Sequence, residues 1–136
     1  RFFIANITVI SVGKIKEKYF TAAIDEYSKR LSRFAKLNII EVADEKIPDN
    51  ASEKEMEQIK EKEGNKILAK LPQNSFVVTL CIEGKEHSSE ELAKKIADIS
   101  MTSSHITFII GGSLGLSNTV KSKSALRLSF GKMTLP

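Results

Sequence analysis

At 136 residues, the chain has the length of one domain, and its 41% hydrophobic and 28% charged residues are the balance of an ordinary globular protein. The sequence has no apolar run near the roughly 20 residues that span a bilayer, and its single cysteine, Cys81, excludes an internal disulfide and fits a reducing, cytoplasmic compartment. The net charge of +4 does not by itself indicate a binding partner. We predict one domain over residues 1–136 and treat residues 1–5, which have no initiator Met, as a remnant foreign to it.

The first half of the chain alternates strand and helix signals. Residues 6–12 form a β-branched run that Gly13 ends, which predicts a first strand. Apolar residues then recur every three or four positions over 16–34 and predict an amphipathic helix with Phe34 on its buried face. Residues 37–43 predict a second strand. Ser52 and Glu55 form a capping-box pattern that opens a helix to about residue 70, in which Gly64 costs about 1 kcal/mol.

The second half repeats the alternation. Residues 75–82 are apolar almost throughout and predict a strand buried on both faces. Ser88 and Glu91 form another capping-box pattern, which opens a helix to about residue 101. Residues 105–110 and 126–130 predict the last two strands, with a short helix near 116–123 between them. This order predicts an α/β fold with a mostly parallel sheet covered by helices.

Three loops are expected to share one edge of that sheet. Ligands of such sheets bind beyond the carboxyl ends of the strands, where the predicted loops 83–85, 111–115 and 131–135 begin. Residues 99–136 contain no Asp or Glu, so a pocket there suits an anionic or neutral polar ligand better than a metal ion. The same stretch carries four cations: Lys121, Lys123, Arg127 and Lys132.

The segment 111–115, Gly-Gly-Ser-Leu-Gly, spells the G-x-S-x-G pattern of a hydrolase nucleophile elbow. That mechanism needs an acid and a histidine after the serine, and the chain has no Asp, Glu or His beyond Ser113. The glycines are therefore better explained by close backbone approach to a ligand or by a tight turn. His87 and His105 have no companion at metal-ligand spacing, so no metal site is predicted.

Charge is unevenly distributed along the chain. Segment 14–36 has seven bases and three acids, and segment 41–63 has nine acids and four bases. Such a polarised surface suits nucleic acid, although solvated helix faces without a partner are the commoner explanation, so charge alone leaves both open. Candidate phosphate contacts are Lys14, Lys16, Lys18 and Arg33.

Several stretches taken together resemble one family. They are VGKIKEKYF, EVADEKIPDN, KEKEGNKIL, VVTLCIEGK with SSEELA, FIIGGSLGL and LSFGKMTLP. Over residues 6–136 the chain resembles the ribosomal large-subunit pseudouridine N3-methyltransferases of the RlmH type, in the SPOUT class. The resemblance implies a trefoil-knotted α/β fold, a homodimer without membrane or metal, and S-adenosyl-methionine as methyl donor, with S-adenosyl-homocysteine as product. The implied substrate is the pseudouridine in the helix 69 loop of 23S rRNA in assembled ribosomes.

The resemblance also carries over a donor-binding set but no catalytic residue. Family members continue past Pro136 with a helix that completes the knot and supplies much of the dimer interface, so a C-terminal helix is expected to be missing from these 136 residues. The family often has serine at the position of Gly131, where a backbone contact survives the change. The implied donor-binding residues are Leu80, Gly111, Phe130, Gly131, Lys132, Met133, Thr134 and Leu135.

Two other functions remain open from the residues themselves. One is a non-catalytic ribosome-binding module that uses the same basic face, and it predicts no binding of the methyl donor. The other is a regulatory domain in which residues 111–115 cradle a nucleotide phosphate, and it predicts that ATP competes better than the methyl donor.

Overall fold

The protein was analysed as a computed structural model, which describes residues 4–14, 17–82, 89–112 and 114–130. Strands and helices alternate along the chain, as the sequence predicts. The strands are β1 (Ile4–Val12), β2 (Phe34–Val42), β3 (Phe76–Ile82), β4 (His105–Ile110) and β5 (Leu126–Phe130). The helices are α1 (Glu17–Leu31), α2 (Glu53–Lys70), α3 (Ser89–Ser100) and α4 (Asn118–Ser122).

The five strands form one sheet in the order β2-β1-β4-β3-β5, and every pairing is parallel. This confirms the predicted α/β class. The strands β3, β4 and β5 are neighbours, with β3 in the middle, so their carboxyl ends lie side by side at one edge.

Each face of the sheet carries its own hydrophobic core. On one face, α1 and α3 cover the strands, and Phe20 of α1 meets Phe108 of β4 with ring centroids 6.1 Å apart. The buried Tyr27 hydroxyl donates to Ser100 Oγ at 3.3 Å and links those two helices. On the other face, α2 and α4 pack through Ile67 and Val120. The predicted two-sided burial of β3 is confirmed from Val77 to Leu80.

The boundary between α1 and β2 differs from the prediction. The helix ends at Leu31 rather than at 34, because Ser32 adopts a left-handed backbone with φ of 51°. Phe34 therefore begins β2 and is 62% exposed instead of facing the core. β1 begins two residues earlier than predicted, and Ala5 lies fully in the core.

The helix α2 matches its prediction closely. Ser52 and Glu55 exchange both hydrogen bonds of a capping box, with Glu55 N to Ser52 Oγ at 3.1 Å and Ser52 N to Glu55 Oε1 at 3.2 Å. Gly64 does not break the helix. The predicted cap of α3 at Ser88 lies outside the described residues.

Candidate functional site

At the carboxyl end of β4, the chain turns to a different face of the sheet from its neighbours. The helix that follows β4 lies on the opposite face from α1 and α3, which follow its two neighbours β1 and β3. Ligands of open parallel sheets bind where neighbouring strands connect to opposite faces in this way. The segment 111–115, which we call the glycine loop, begins at that point.

The described members of the implied donor-binding set lie together at this edge. Leu80 of β3 pairs with Ile110 of β4 on one side, directly before Gly111, and with Leu128 of β5 on the other. Phe130 pairs with Ile82 one pleat further on. Neighbouring strands are about 4.8 Å apart, so the three backbones approach one another within two strand spacings. The remaining members, at 131–135, lie outside the described residues.

Gly111 and Gly115 of the glycine loop are glycine for different reasons. A Cβ on Gly111 would lie 2.9 Å from the Gly115 carbonyl carbon and 3.0 Å from Leu116 Cγ. Gly115 has φ of +84° and open space where a side chain would point. Its N–H donates to Gly112 O at 3.0 Å, which closes the loop on itself. Backbone contacts therefore fix Gly111, Gly112 and Gly115 at the carboxyl end of β4.

The helix α2 packs against the segment that follows the glycine loop. A Cβ on Gly64 would lie 2.6 Å from Ser117 Oγ and 3.0 Å from Val120 Cγ2. Ser117 is the N-cap of α4, and its Oγ accepts from Val120 N at 3.3 Å. Gly64 thus allows α2 to pack directly against the segment that continues the glycine loop.

The loop that follows β2 is tied to α2 by an ionic contact. Lys66 Nζ donates to Ala43 O at 3.1 Å and to Glu45 Oε2 at 2.9 Å, and Lys62 Nζ lies 3.7 Å from Glu45 Oε1. The Lys66 hydrogen bond and positive charge hold the pKa of the Glu45 carboxyl below its ordinary value of 4.5. The loop after β2 is therefore held next to α2 at neutral pH.

The candidate phosphate contacts are divided between the two ends of the strands. Lys14 follows the carboxyl end of β1, and Lys18 lies in the first turn of α1, which starts at that same end of the sheet. The helix α1 then runs about 22 Å back along the sheet, so Arg33 directly precedes β2 at the amino ends of the strands. Lys16 lies outside the described residues.

Two kinds of feature are absent from the described residues. None of the helices there is both long and apolar enough to cross a membrane. Within the same ranges, no group of three or more His, Cys, Asp or Glu side chains is arranged to hold a metal ion.

Comparison with known proteins identifies the family. The family model described as "Predicted SPOUT methyltransferase" matches residues 5–136. The chain belongs to the SPOUT methyltransferase family. It is 61% identical over 132 residues to the ribosomal RNA large subunit methyltransferase H of Clostridium botulinum strain Hall, a match that covers 96% of this chain and 83% of the relative. The protein of the same name from Clostridium novyi strain NT is 58% identical over the same shares.

Two residues that pack near the glycine loop, Glu63 and Gly64, are not predicted from the sequence. Glu63 lies four residues from both Ile59 and Ile67, so it falls on the buried stripe of α2, and an acid on such a stripe is a usable signal. From the sequence, Gly64 is expected only to lower the stability of the helix. A glycine retained inside a helix also indicates close packing, which is its role here.

Proposed function

We propose that the chain is an S-adenosyl-methionine-dependent methyltransferase that acts on N3 of the pseudouridine in the helix 69 loop of 23S rRNA, in assembled ribosomes of the cytoplasm. The observation that carries the proposal is the 61% identity over 132 residues to a protein named ribosomal RNA large subunit methyltransferase H. Membership in the SPOUT family supports methyl transfer, and the relatives' name supports rRNA as the substrate. The quoted sequence motifs support the choice of base and atom, a knotted homodimer, and a C-terminal helix beyond Pro136.

The donor is proposed to bind at the carboxyl ends of β4, β3 and β5, against Leu80, Gly111, Phe130 and residues 131–135. One observation fits a nucleoside ligand there. Gly115 leaves open space beside the loop backbone.

Methyl transfer depends more on alignment of the donor and the acceptor than on reactive side chains. The donor supplies a sulfonium methyl group that is open to direct displacement, so the chain has to orient it and exclude water. Correct orientation alone can contribute roughly 7–11 kcal/mol to lowering the barrier. A loop of glycines fixed by its own hydrogen bond suits that task.

The acceptor nitrogen needs help to lose its proton. N3 of pseudouridine is an imide nitrogen, and a nearby cation favours its anionic form. Arg127 of β5 is exposed and pairs with Thr79 of β3, so we propose it as one such cation, with Lys132 as the other candidate. No general base is assigned.

The activity is tested with labelled S-adenosyl-methionine and assembled ribosomes that carry an unmethylated helix 69 pseudouridine. The 136-residue chain is compared with a chain extended past Pro136 by the C-terminal segment of the Clostridium botulinum relative. We expect the extended chain to transfer one methyl group per ribosome, located at N3 by mass spectrometry. Ribosome binding without donor binding would instead favour a non-catalytic module, and preference for ATP would favour a nucleotide-binding regulatory domain.

The RNA-facing edge gives a separate prediction. Replacing Lys14 and Lys18 by alanine together should weaken ribosome binding and lower the slope of log affinity against log salt by roughly 1.5, since each phosphate contact contributes about 0.7–0.9. The matched control is Lys29→Ala, an exposed lysine in the last turn of α1 at the opposite edge. Binding is measured by filter retention between about 50 and 200 mM salt. An equal loss in the control, or an unchanged slope in the double variant, would contradict this footprint.

A further inference from the structure

We propose that Glu63 is a positioning residue for the glycine loop: its carboxylate braces Gly112 from the side of α2 and ties that loop to the loop that follows β2. The inference rests on the proposed function, because the donor site to be positioned is the one assigned to the glycine loop.

The burial of Glu63 is the first observation. Glu63 is only 5% exposed, although the other acids of α2 are exposed to solvent. A carboxylate removed from water is stable only when it has hydrogen-bond donors. One is the backbone of the loop after β2, where Glu45 N donates to Glu63 Oε2 at 2.9 Å.

The second observation is the contact with the glycine loop. A Cβ on Gly112 would lie 3.3 Å from Glu63 Oε1, 3.6 Å from Glu63 Oε2 and 3.2 Å from Val12 Cγ1. The carboxylate and the end of β1 therefore fill the space on one side of Gly112. The loop backbone cannot move toward α2 without meeting this carboxylate.

The third observation is what Glu63 joins. The loops after β2 and β4 belong to strands that flank β1 on either side. One carboxylate accepts a hydrogen bond from the first of these loops and lies beside the second, while the adjacent Gly64 packs on Ser117 after the glycine loop. Glu63 thus fixes the position of the glycine loop relative to Leu80 on β3. A binding constellation tolerates displacements of only about 0.5 Å, so a shift of this loop should be felt as lost donor affinity.

A carboxylate and an amide differ at this position in a way that can be tested. Both oxygens of the ionised carboxylate accept hydrogen bonds, whereas glutamine of the same shape offers one acceptor and one NH2 donor. In Glu63→Gln, the oxygen can still accept from Glu45 N, but the NH2 group then faces Gly112. The variant keeps the packing and changes the polarity toward the glycine loop.

The experiment measures S-adenosyl-homocysteine affinity by calorimetry, at least ten degrees below the melting temperature of each variant. We expect Glu63→Gln to raise the dissociation constant at least about fivefold, because a buried NH2 donor without an acceptor would then face Gly112. Steady-state kinetics of the extended chain should show a higher KM for the donor and an unchanged KM for the ribosome. The control is Asp98→Asn, the same change from carboxylate to amide on an exposed acid of α3, which covers the other face of the sheet, and it should leave the donor affinity as in the wild type.

A purely structural role predicts a different result. It would lower the free energy of unfolding in urea but leave the donor affinity of the folded protein unchanged, and that outcome would overturn the inference while the proposed function stands. If Glu63→Gln does not fold, Gly112→Ala tests the same contact from the loop side and should weaken donor binding similarly.

Failure of the proposed function is distinguishable. A wild-type chain that binds no S-adenosyl-homocysteine would contradict the donor site itself. Positioning is then judged from the amide resonances of Gly112 and Gly115, which should shift in Glu63→Gln and not in Asp98→Asn. Resonances that stay unchanged in both variants would overturn the positioning role.

Discussion

Replacing Gly64 by alanine is expected to lower the free energy of unfolding by about 1–3 kcal/mol, the usual cost of forcing an extra methyl group into a packed contact. At an exposed helical position the same change would raise stability by about 1 kcal/mol, because alanine is the better helix former. Here the new Cβ would lie 2.6 Å from Ser117 Oγ and 3.0 Å from Val120 Cγ2. The serine can retreat only by giving up its hydrogen bond to the start of α4. Urea unfolding followed by circular dichroism measures the effect.

A double-mutant cycle isolates the contact behind this expectation. Ser117→Ala alone should cost about 1 kcal/mol through the lost N-cap. In that background the nearest remaining atom of residue 117 is its Cβ, at 3.5 Å, so Gly64→Ala should cost much less than in the wild type. Asn65→Ala, on the exposed side of the same helix, is the control and should be neutral or slightly stabilising. A stabilising Gly64→Ala, or strictly additive effects, would show that α2 does not pack on Ser117 in this way.

Replacing Gly111 by alanine is expected to reduce S-adenosyl-homocysteine affinity by more than about tenfold, the equivalent of roughly 1.4 kcal/mol. The added Cβ would lie 2.9 Å from the carbonyl carbon of Gly115, which is backbone and cannot rotate away. The loop would have to open, and the hydrogen bond from Gly115 N to Gly112 O would be strained or lost. Calorimetric titration of the folded variant measures the change.

Gly112→Ala gives a graded comparison in the same loop. Its Cβ would meet Val12 Cγ1 at 3.2 Å and Glu63 Oε1 at 3.3 Å, and both are side-chain atoms that can give by a few tenths of an ångström. The loss of affinity should therefore be smaller than for Gly111→Ala. The reverse order, or wild-type affinity in both variants, would mean that the donor does not depend on the shape of the glycine loop.

The periodicity of apolar residues was sufficient to predict the strands and helices but not which strands lie side by side in the sheet. The apolar runs and capping boxes predicted all nine elements, because each signal is local in sequence. The order in which β4 enters between β1 and β3 depends on packing between residues that are far apart in the chain. The displaced boundary between α1 and β2 is set by a left-handed backbone at Ser32, a residue type that does not require it.

The candidate site was predictable to the extent that it is built from strand ends. Once the strands were assigned, parallel packing was enough to expect the loops after β3 and β4 at one end of the sheet. Leu80 came from the family resemblance, and the structure brings it next to Gly111. The basic segment shows the limit, because sequence proximity groups Lys14 with Arg33, whereas α1 carries them to opposite edges. The brace at Glu63 depends on a helix that contacts two loops at once, which no local pattern encodes.

The most direct test of the donor site is a titration of the 15N-labelled chain with S-adenosyl-homocysteine, followed by amide resonances. We predict that the resonances of Leu80, Gly111 and Phe130 shift together and saturate at one dissociation constant, while those of Arg33 and Ser104 at the opposite edge stay in place. Shifts confined to the opposite edge, or none at Leu80 and Gly111 under saturation, would contradict a methyl-donor site at the carboxyl ends of β4, β3 and β5.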